Sequence, residues 1–214
     1  MKKERFMNTF IKLFWVFIIG SLIGYIVEMI VGFVQNGHFV SRQGLLFGLF
    51  AQVYGLGILV YYLVAPKIKG GYLKIFFVTM LLGGIVEYLC SYFQELLFGT
   101  ISWDYSDLWF NINGRTSLLH CTYWGIGGVL FMKYIIPLIN HMDKIIKNQY
   151  FRTVTALFAI FMLFNICVSS LAAMRQDERN REISATNNID VFFDKYYSDE
   201  VMDVIYENKI EVKR

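Results

Sequence analysis

Residues 24–28 read Gly24-Tyr25-Ile26-Val27-Glu28, and residues 83–87 read Gly83-Gly84-Ile85-Val86-Glu87. In both, a small and apolar run ends in a carboxylate. Seven residues after each glutamate comes a glutamine, Gln35 and Gln94. Each following loop ends in an arginine, Arg42 or Arg115, and then reaches a leucine pair, Leu45-Leu46 or Leu118-Leu119. The second loop is longer by fourteen residues. Small residues recur beyond it in both places, as Gly48, Gly55 and Gly57, then Gly125, Gly127 and Gly128. The pattern reads as a two-helix unit present twice.

The two stretches sit in a very apolar chain. Of its 214 residues, 56% are hydrophobic and 17% charged, against about 25% charged in a soluble domain. There are two prolines, and the mean hydropathy is +0.46. This excludes a disordered chain, which needs low hydrophobicity and high charge. It also argues against one soluble domain, because the apolar residues come in blocks. A membrane span takes about 20 mostly apolar residues. Five blocks reach that length, at residues 10–34, 44–65, 75–98, 116–139 and 153–174. The expected fold is all-α, a polytopic membrane protein with five transmembrane helices. Helices one and two form one repeat unit and helices three and four the other. Both units start from the same membrane side, so the repeat is parallel, with its axis along the membrane normal. The expected domains are residues 1–174 in the membrane and an extracytoplasmic tail at 175–214.

Lys and Arg in the flanks set orientation. Lys2, Lys3, Arg5, Lys12, Lys67, Lys69, Lys74, Lys144, Lys147 and Arg152 fall on one side, while Arg42, Arg115, Arg175, Arg179 and Arg181 fall on the other. The N-terminus is therefore expected in the cytoplasm and the C-terminus outside the cell membrane. The basic groups flank spans, so they are not a nucleic-acid footprint. The tail carries seven Lys/Arg and ten Asp/Glu. In it, Ile189, Phe192, Phe193 and Tyr196 have helical spacing. An acidic helix of this kind is expected to pack over the protein's own loops rather than on anionic lipid.

A charge at mid-membrane costs roughly 2.5–3.5 kcal/mol, so Glu28 and Glu87 are expected to face the bundle interior or water, or to become protonated. Each has a glycine four residues earlier, on the same helix face, where a second helix can approach closely. Two readings compete. The glutamates form a cation, proton or amine site, or each pairs with Arg42 or Arg115 and locks the fold. The third loop adds Asp104, Asp107, Asn113 and interface aromatics. The aspartates cap a short helix or form a polar mouth, and Asn113-Gly114 is a turn signal. His120 and Trp124 share a face of helix four, and a lone histidine argues against a metal. Gln52 and Asn165 are expected to be interhelical hydrogen-bond partners. Cys90, Cys121 and Cys167 lie inside apolar blocks with no metal or disulfide spacing. No phosphate-binding loop, zinc-protease helix or nucleophile elbow is present. An enzyme is therefore not expected, and no cofactor is implied.

Two further stretches carry a family resemblance. Ser41-Arg42-Gln43-Gly44-Leu45-Leu46-Phe47-Gly48, with Val53-Tyr54-Gly55-Leu56-Gly57, is similar to the signature of the bacterial membrane proteins called putative ABC-transporter type IV, or putative ABC transporter permeases. Trp103-Asp104-Tyr105-Ser106 and Asn111-Ile112-Asn113-Gly114-Arg115 resemble further stretches of that family, and so do tail residues including Asp194, Asp199 and Asn208. The family pattern has prolines where Leu49 and Gln52 stand here. Without them, helix two is expected to run unbroken. The resemblance implies a permease-type protein with an ATPase subunit as partner. A chain of this size is expected to work as a homo-oligomer in the lipid bilayer. The candidate binding residues are Glu28, Glu87, Arg42, Arg115, Tyr54, Asp104, Asp107, Asn113 and Trp124. The competing functions are a membrane sensor or envelope assembly factor with structural Glu–Arg pairs, and an intramembrane lipid enzyme using paired carboxylates.

Overall fold

Long apolar runs with few prolines fold into long helices, because a chain in lipid must satisfy its backbone hydrogen bonds internally. A computed structural model describes residues 2–212. Met1, at the head of the expected membrane domain, and Lys213 and Arg214, at the end of the expected tail, lie outside the described residues. The fold is all-helical apart from a few two-residue strands. Helix α1 spans Lys2–Asn36, α2 Gln52–Val64, α3 Tyr72–Phe98, α4 Leu118–Leu130, α5 Ile136–His141 and α6 Gln149–Asn180. A π-turn over Phe131–Ile135 joins α4 to α5, so that Leu118–His141 forms one span. Pro137, which lacks an N–H, stands in the first turn of α5, just after this widened turn. Four helices, Lys2–Asn36, Tyr72–Phe98, Leu118–His141 and Gln149–Asn180, are long and apolar enough to cross a membrane. Many large side chains on them are exposed, among them Ile26, Ile30, Leu81, Leu157 and Ile160. Such a surface suits lipid rather than water. Cys167 belongs to this exposed surface, while Cys90 and Cys121 are half-buried.

The second apolar block departs most from expectation. It is not one helix over residues 44–65. Residues 38–51 are irregular, and α2 has 13 residues, about 20 Å at 1.5 Å per residue. The chain unwinds without the family's prolines because side chains from elsewhere satisfy its backbone. Asn165 on α6 accepts from the Phe47 N–H at 3.2 Å and donates to the Phe47 carbonyl at 2.6 Å. Ser169, one turn on, accepts from the Leu46 N–H at 2.9 Å. Gln52 donates to the Gly44 carbonyl at 2.7 Å, and the Ala51 N–H donates to the Ser21 carbonyl at 3.1 Å. Gly48, at φ +87°, supplies the left-handed turn. Asn165 and Gln52 are thus partners of an unwound backbone, not of another helix.

Helix α1 packs on α2, α3 packs on α4, and α2 meets α3. The close approaches are made by glycines. A β-carbon on Gly24 would overlap the Tyr54 ring, one on Gly55 would strike Phe17 and Ser21, and one on Gly20 would press on Ile58. In the other hairpin, a β-carbon on Gly83 would overlap Trp124, one on Gly125 would strike Phe76 and Met80, and one on Gly128 would strike Thr79. The spacing is constant. Fifty-nine residues separate Phe17 from Phe76, Ser21 from Met80 and Gly24 from Gly83, and seventy separate Tyr54 from Trp124 and Gly55 from Gly125. Eight residues separate Leu46 from Tyr54 and only five separate Leu119 from Trp124. The irregular stretch before α2 takes up the extra three.

The N-terminal turns of α1 meet the loop before α6 through Lys12–Asp143 at 2.6 Å, and the first turn of α6 through Arg152–Asn8 at 2.8 Å. The tail lies at the opposite end, against the residues that follow α1 and α3. Helix α6 runs without a break through residue 174 to Asn180, and the tail then forms α7 (Asn188–Tyr196) and α8 (Asp199–Ile205). Phe193 and Met202 are buried against Leu46 and Ala172. Strand β4 (Ile210–Glu211) pairs antiparallel with β1 (Thr100–Ile101). Ser41 donates to Glu207 and to the Ile205 carbonyl, and Asn208 donates to the Ser102 carbonyl. Of the apolar stripe read from the sequence, only Phe193 is buried; Ile189, Phe192 and Tyr196 are exposed.

Arg175 grips Asp194 through two bonds of 2.9 Å, and Arg179 bridges Asp194 and Asp199. Hydrogen bonding from Arg175, and then from Arg179, holds the Asp194 carboxyl below the usual aspartate range, against the opposing effect of its burial. A depressed carboxyl contributes stability above its unfolded pKa of about 3.9 and loses it as pH falls through the lower folded value. Hydrogen exchange across residues 188–205 is therefore expected to stay slow from pH 7 to pH 5 and to quicken, after correction for intrinsic rates, below about pH 4. Unchanged protection at pH 3 refutes the arginine clamp. A second prediction concerns Asn165→Leu. It leaves Phe47 with two unpaired backbone groups, at a cost of about 1–3 kcal/mol each, and should lower the thermal midpoint in detergent by several degrees. Asn148→Ala, which removes only a surface helix cap, should shift it less.

Candidate functional site

The close helix crossings aim both glutamates at one space. A cavity of about 800 Å³ lies between the hairpins and under the tail. Glu28, Arg42, Tyr54, Glu87, Asp104, Asp107 and Trp124 line it, so it gathers seven of the nine residues named from the sequence. Arg115 and Asn113 are not in its wall.

Glu28 accepts a hydrogen bond from the Tyr54 hydroxyl. The Tyr54 ring packs over Gly24, which sets the hydroxyl opposite the carboxyl one helix turn on. Glu87, only 6% exposed, accepts from the Thr116 hydroxyl at 2.7 Å and the Tyr105 hydroxyl at 3.3 Å. Trp124, seated over Gly83, is a further neighbour of that carboxyl. The Tyr54 and Trp124 rings stack on each other with centroids 5.2 Å apart, which joins the two hairpins at the cavity wall. Tyr105 also stacks on His120 at 3.7 Å. Burial first, and the Glu87 carboxyl next, push the Tyr105 phenol well above its ordinary range. It therefore remains a donor to Glu87 at any physiological pH.

The glutamate–arginine pairs, one of the two competing readings, do not form: neither Glu28 nor Glu87 has an arginine partner among the described residues. Arg115 turns away from Glu87 and bonds Glu95 at 2.5 Å and Ser91 at 3.2 Å, with its guanidinium over the Tyr92 and Tyr88 rings. It ties the third loop to α3. The reason is position: Glu95 is two turns nearer the end of α3 than Glu87, and so nearer the loop that carries Arg115. Arg42 has no ion pair among the described residues, and its Nε is buried without a hydrogen-bond partner.

The third loop is ordered by local bonds. Strands β2 (Asn111–Ile112) and β3 (Thr116–Ser117) form a small hairpin. Its turn places Asn113 and Gly114 at φ +53° and +68°, the conformation the Asn-Gly pair favours. Asn113 donates to the Tyr88 hydroxyl at 3.1 Å. Asp104 caps a turn by accepting from the Ser106 hydroxyl and N–H, and these bonds hold its carboxyl below the usual range. Asp107 is exposed at the cavity wall. Among the described residues, no three His, Cys, Asp or Glu side chains converge as a metal-binding set.

Sequence reasoning did not single out Tyr105 and Thr116 as partners of Glu87. Their signal was adjacency, one inside the Trp-Asp-Tyr-Ser stretch and one directly after Arg115. Tyr206, Asn208 and Lys209 also reach the cavity wall. Nothing in the local pattern links the tail to residues a hundred positions earlier.

No curated protein and no solved structure matches the chain. A family model described as Putative ABC-transporter type IV matches residues 15–170, which carry both hairpins and both cavity glutamates. The chain therefore belongs to the putative ABC-transporter type IV family of membrane proteins.

Proposed function

We propose that the chain is a small permease-type membrane protein that moves a small solute through the cavity between its two hairpins. The observation that carries this reading is the meeting of Glu28 and Glu87, from different hairpins, in one cavity where neutral donors alone hold them. A carboxylate locked by an arginine has spent its charge, whereas one held by hydroxyls keeps it for a ligand. In this reading Glu28 and Glu87 are ligands or proton carriers, Tyr54 and Trp124 form the wall between them, and Asp104 and Asp107 form a polar mouth. Arg115, with Asn113, holds the mouth in shape, and the protein is not an enzyme.

The equal spacing of the glycine contacts supports two copies of one parallel unit. It also supports α2 as a fifth crossing, completed by the irregular stretch before it. Five crossings agree with the tail lying at the end opposite the first turns of α1. With ten Lys and Arg at that first end, the N-terminus is cytoplasmic and residues 175–214 lie outside. Five helices are few for a transporter, so a second copy, or the ATPase subunit that the family name implies, completes the assembly. A sensor or assembly role has one observation in its favour, the exposed tail stripe of Ile189, Phe192 and Tyr196.

The test uses membrane discs formed without detergent. Wild type and the Glu28→Gln/Glu87→Gln variant are purified in them, and co-purifying species are identified by mass spectrometry. A small molecule held by wild type and lost from an equally well-folded variant is the expected result. Identical small molecules in both, or envelope proteins bound by both, overturn the transport reading. A variant that fails to fold makes the glutamates structural.

A further inference from the structure

The two arginines sit in matching places and have unlike surroundings. Arg115 lies over Ser91 and Glu95 and bonds both. The residues fifty-nine positions earlier on α1 are Gly32 and Asn36. Arg42 lies over Gly32, where a β-carbon would be 3.8 Å from its Nε. It has the seat that Arg115 has on α3, without the hydroxyl and without the carboxylate. A guanidinium stays charged and carries five donors. Arg42 is half-buried, and its Nε is fully buried with no acceptor, so the desolvation of that donor is not offset. Yet Arg42 makes no ion pair with Glu28, which lies one turn from Gly32 on the same face, about 6 Å along the helix. The other cation in the wall, Lys209, already bonds Asp203 at 2.9 Å. One end of the cavity thus offers an unsatisfied cation. The other offers two carboxyls beside a pair of stacked aromatic rings, a surface that attracts organic cations.

We propose that the cavity takes a compact zwitterion, its ammonium group held by Glu28 and Glu87 against Tyr54 and Trp124 and its acidic group held by Arg42. The inference rests on the transport reading only for calling the zwitterion cargo; binding does not require transport. The shared chemistry is an ammonium and an oxyanion a few bonds apart, as a free solute or as a lipid headgroup.

The probes are glycine betaine and its two halves, tetramethylammonium and acetate. Each is titrated by calorimetry into the protein in discs of phosphatidylglycerol, a lipid without an ammonium group. Betaine should bind at least tenfold tighter than either half. Arg42→Gln should reduce betaine to the affinity of tetramethylammonium and leave tetramethylammonium unchanged, which also reports that the variant is folded. Arg42→Lys should recover part of the loss. Glu87→Gln should weaken betaine and tetramethylammonium together. Adding phosphatidylethanolamine to the discs separates the sources. Competition with betaine identifies a lipid headgroup, and unchanged binding identifies a free solute. The proposal falls if betaine binds no tighter than tetramethylammonium, if Arg42→Gln binds betaine as wild type does, or if both Arg42 variants lose tetramethylammonium as well. Betaine binding without uptake into proteoliposomes removes the transport reading and leaves the site. Uptake of a solute that is not zwitterionic, with no betaine binding, does the reverse.

Discussion

A backbone amide in an apolar interior must have a partner, and this requirement governs the stretch between α1 and α2. Asn165 answers it with a donor and an acceptor on the same residue, Phe47, and Ser169 adds a third bond one turn on. Unsatisfied, the Phe47 groups would cost about 1–3 kcal/mol each, enough to favour winding the stretch into helix. Satisfied, they let the chain travel irregularly through the protein interior between α1 and α2. The stretch leads from Arg42 at the cavity to Gln52 at the start of α2. The clamp on α6 therefore fixes where the cavity's cation sits and where Tyr54 begins its helix.

The second constraint is contact distance. Gly24 and Gly83 let an aromatic ring lie directly on the helix backbone, and each stands one turn before a glutamate. The ring is thereby carried to the carboxyl. Tyr54 bonds Glu28, and Trp124 neighbours Glu87. The two rings then stack on each other, so the same contact that packs each hairpin also joins the hairpins. Packing and site are one arrangement here. A side chain at either glycine would push its ring away from both.

Much of this was legible in the chain. The apolar blocks marked the helices, and the repeated Gly-x-Ile-Val-Glu stretch marked the two residues on which the cavity centres. Glycines at i−4 from the carboxylates foretold close approach, because helix periodicity is local. Less legible was anything that depends on long-range partners. Block two reads as a continuous span, and it unwinds onto partners such as Asn165 and Ser169, more than a hundred residues on. The missing prolines pointed the wrong way, because satisfied amides can do what a missing N–H does. The glutamate–arginine pairing failed for a similar reason. Opposite charges near the same membrane depth look complementary on paper, yet Glu95 stands nearer to Arg115 and captures it. The tail showed its helical spacing but not its seat, since β4 and Ser41 engage residues that no local pattern connects.

The difference between the two hairpins matters as much as their likeness. With both arginines pinned as Arg115 is, the wall would hold Glu28, Glu87, Asp104 and Asp107 with no arginine free beside them, a site for simple cations. With both unpinned, two guanidinium groups would stand beside the paired glutamates, and the fields would largely cancel. The chain has one of each. Gly32 and Asn36 stand where Ser91 and Glu95 stand, and this leaves the Arg42 guanidinium without the partners that hold Arg115, in a cavity wall that also carries Glu28 and Glu87. Where protein rather than water lines such a space, opposite charges are screened less. A dipolar field of that kind orients a ligand as well as attracting it, and orientation requires that the two halves of the wall be unlike. Divergence at two positions of α1 is enough to produce it, while the glycine–aromatic contacts that build the wall stay the same in both hairpins.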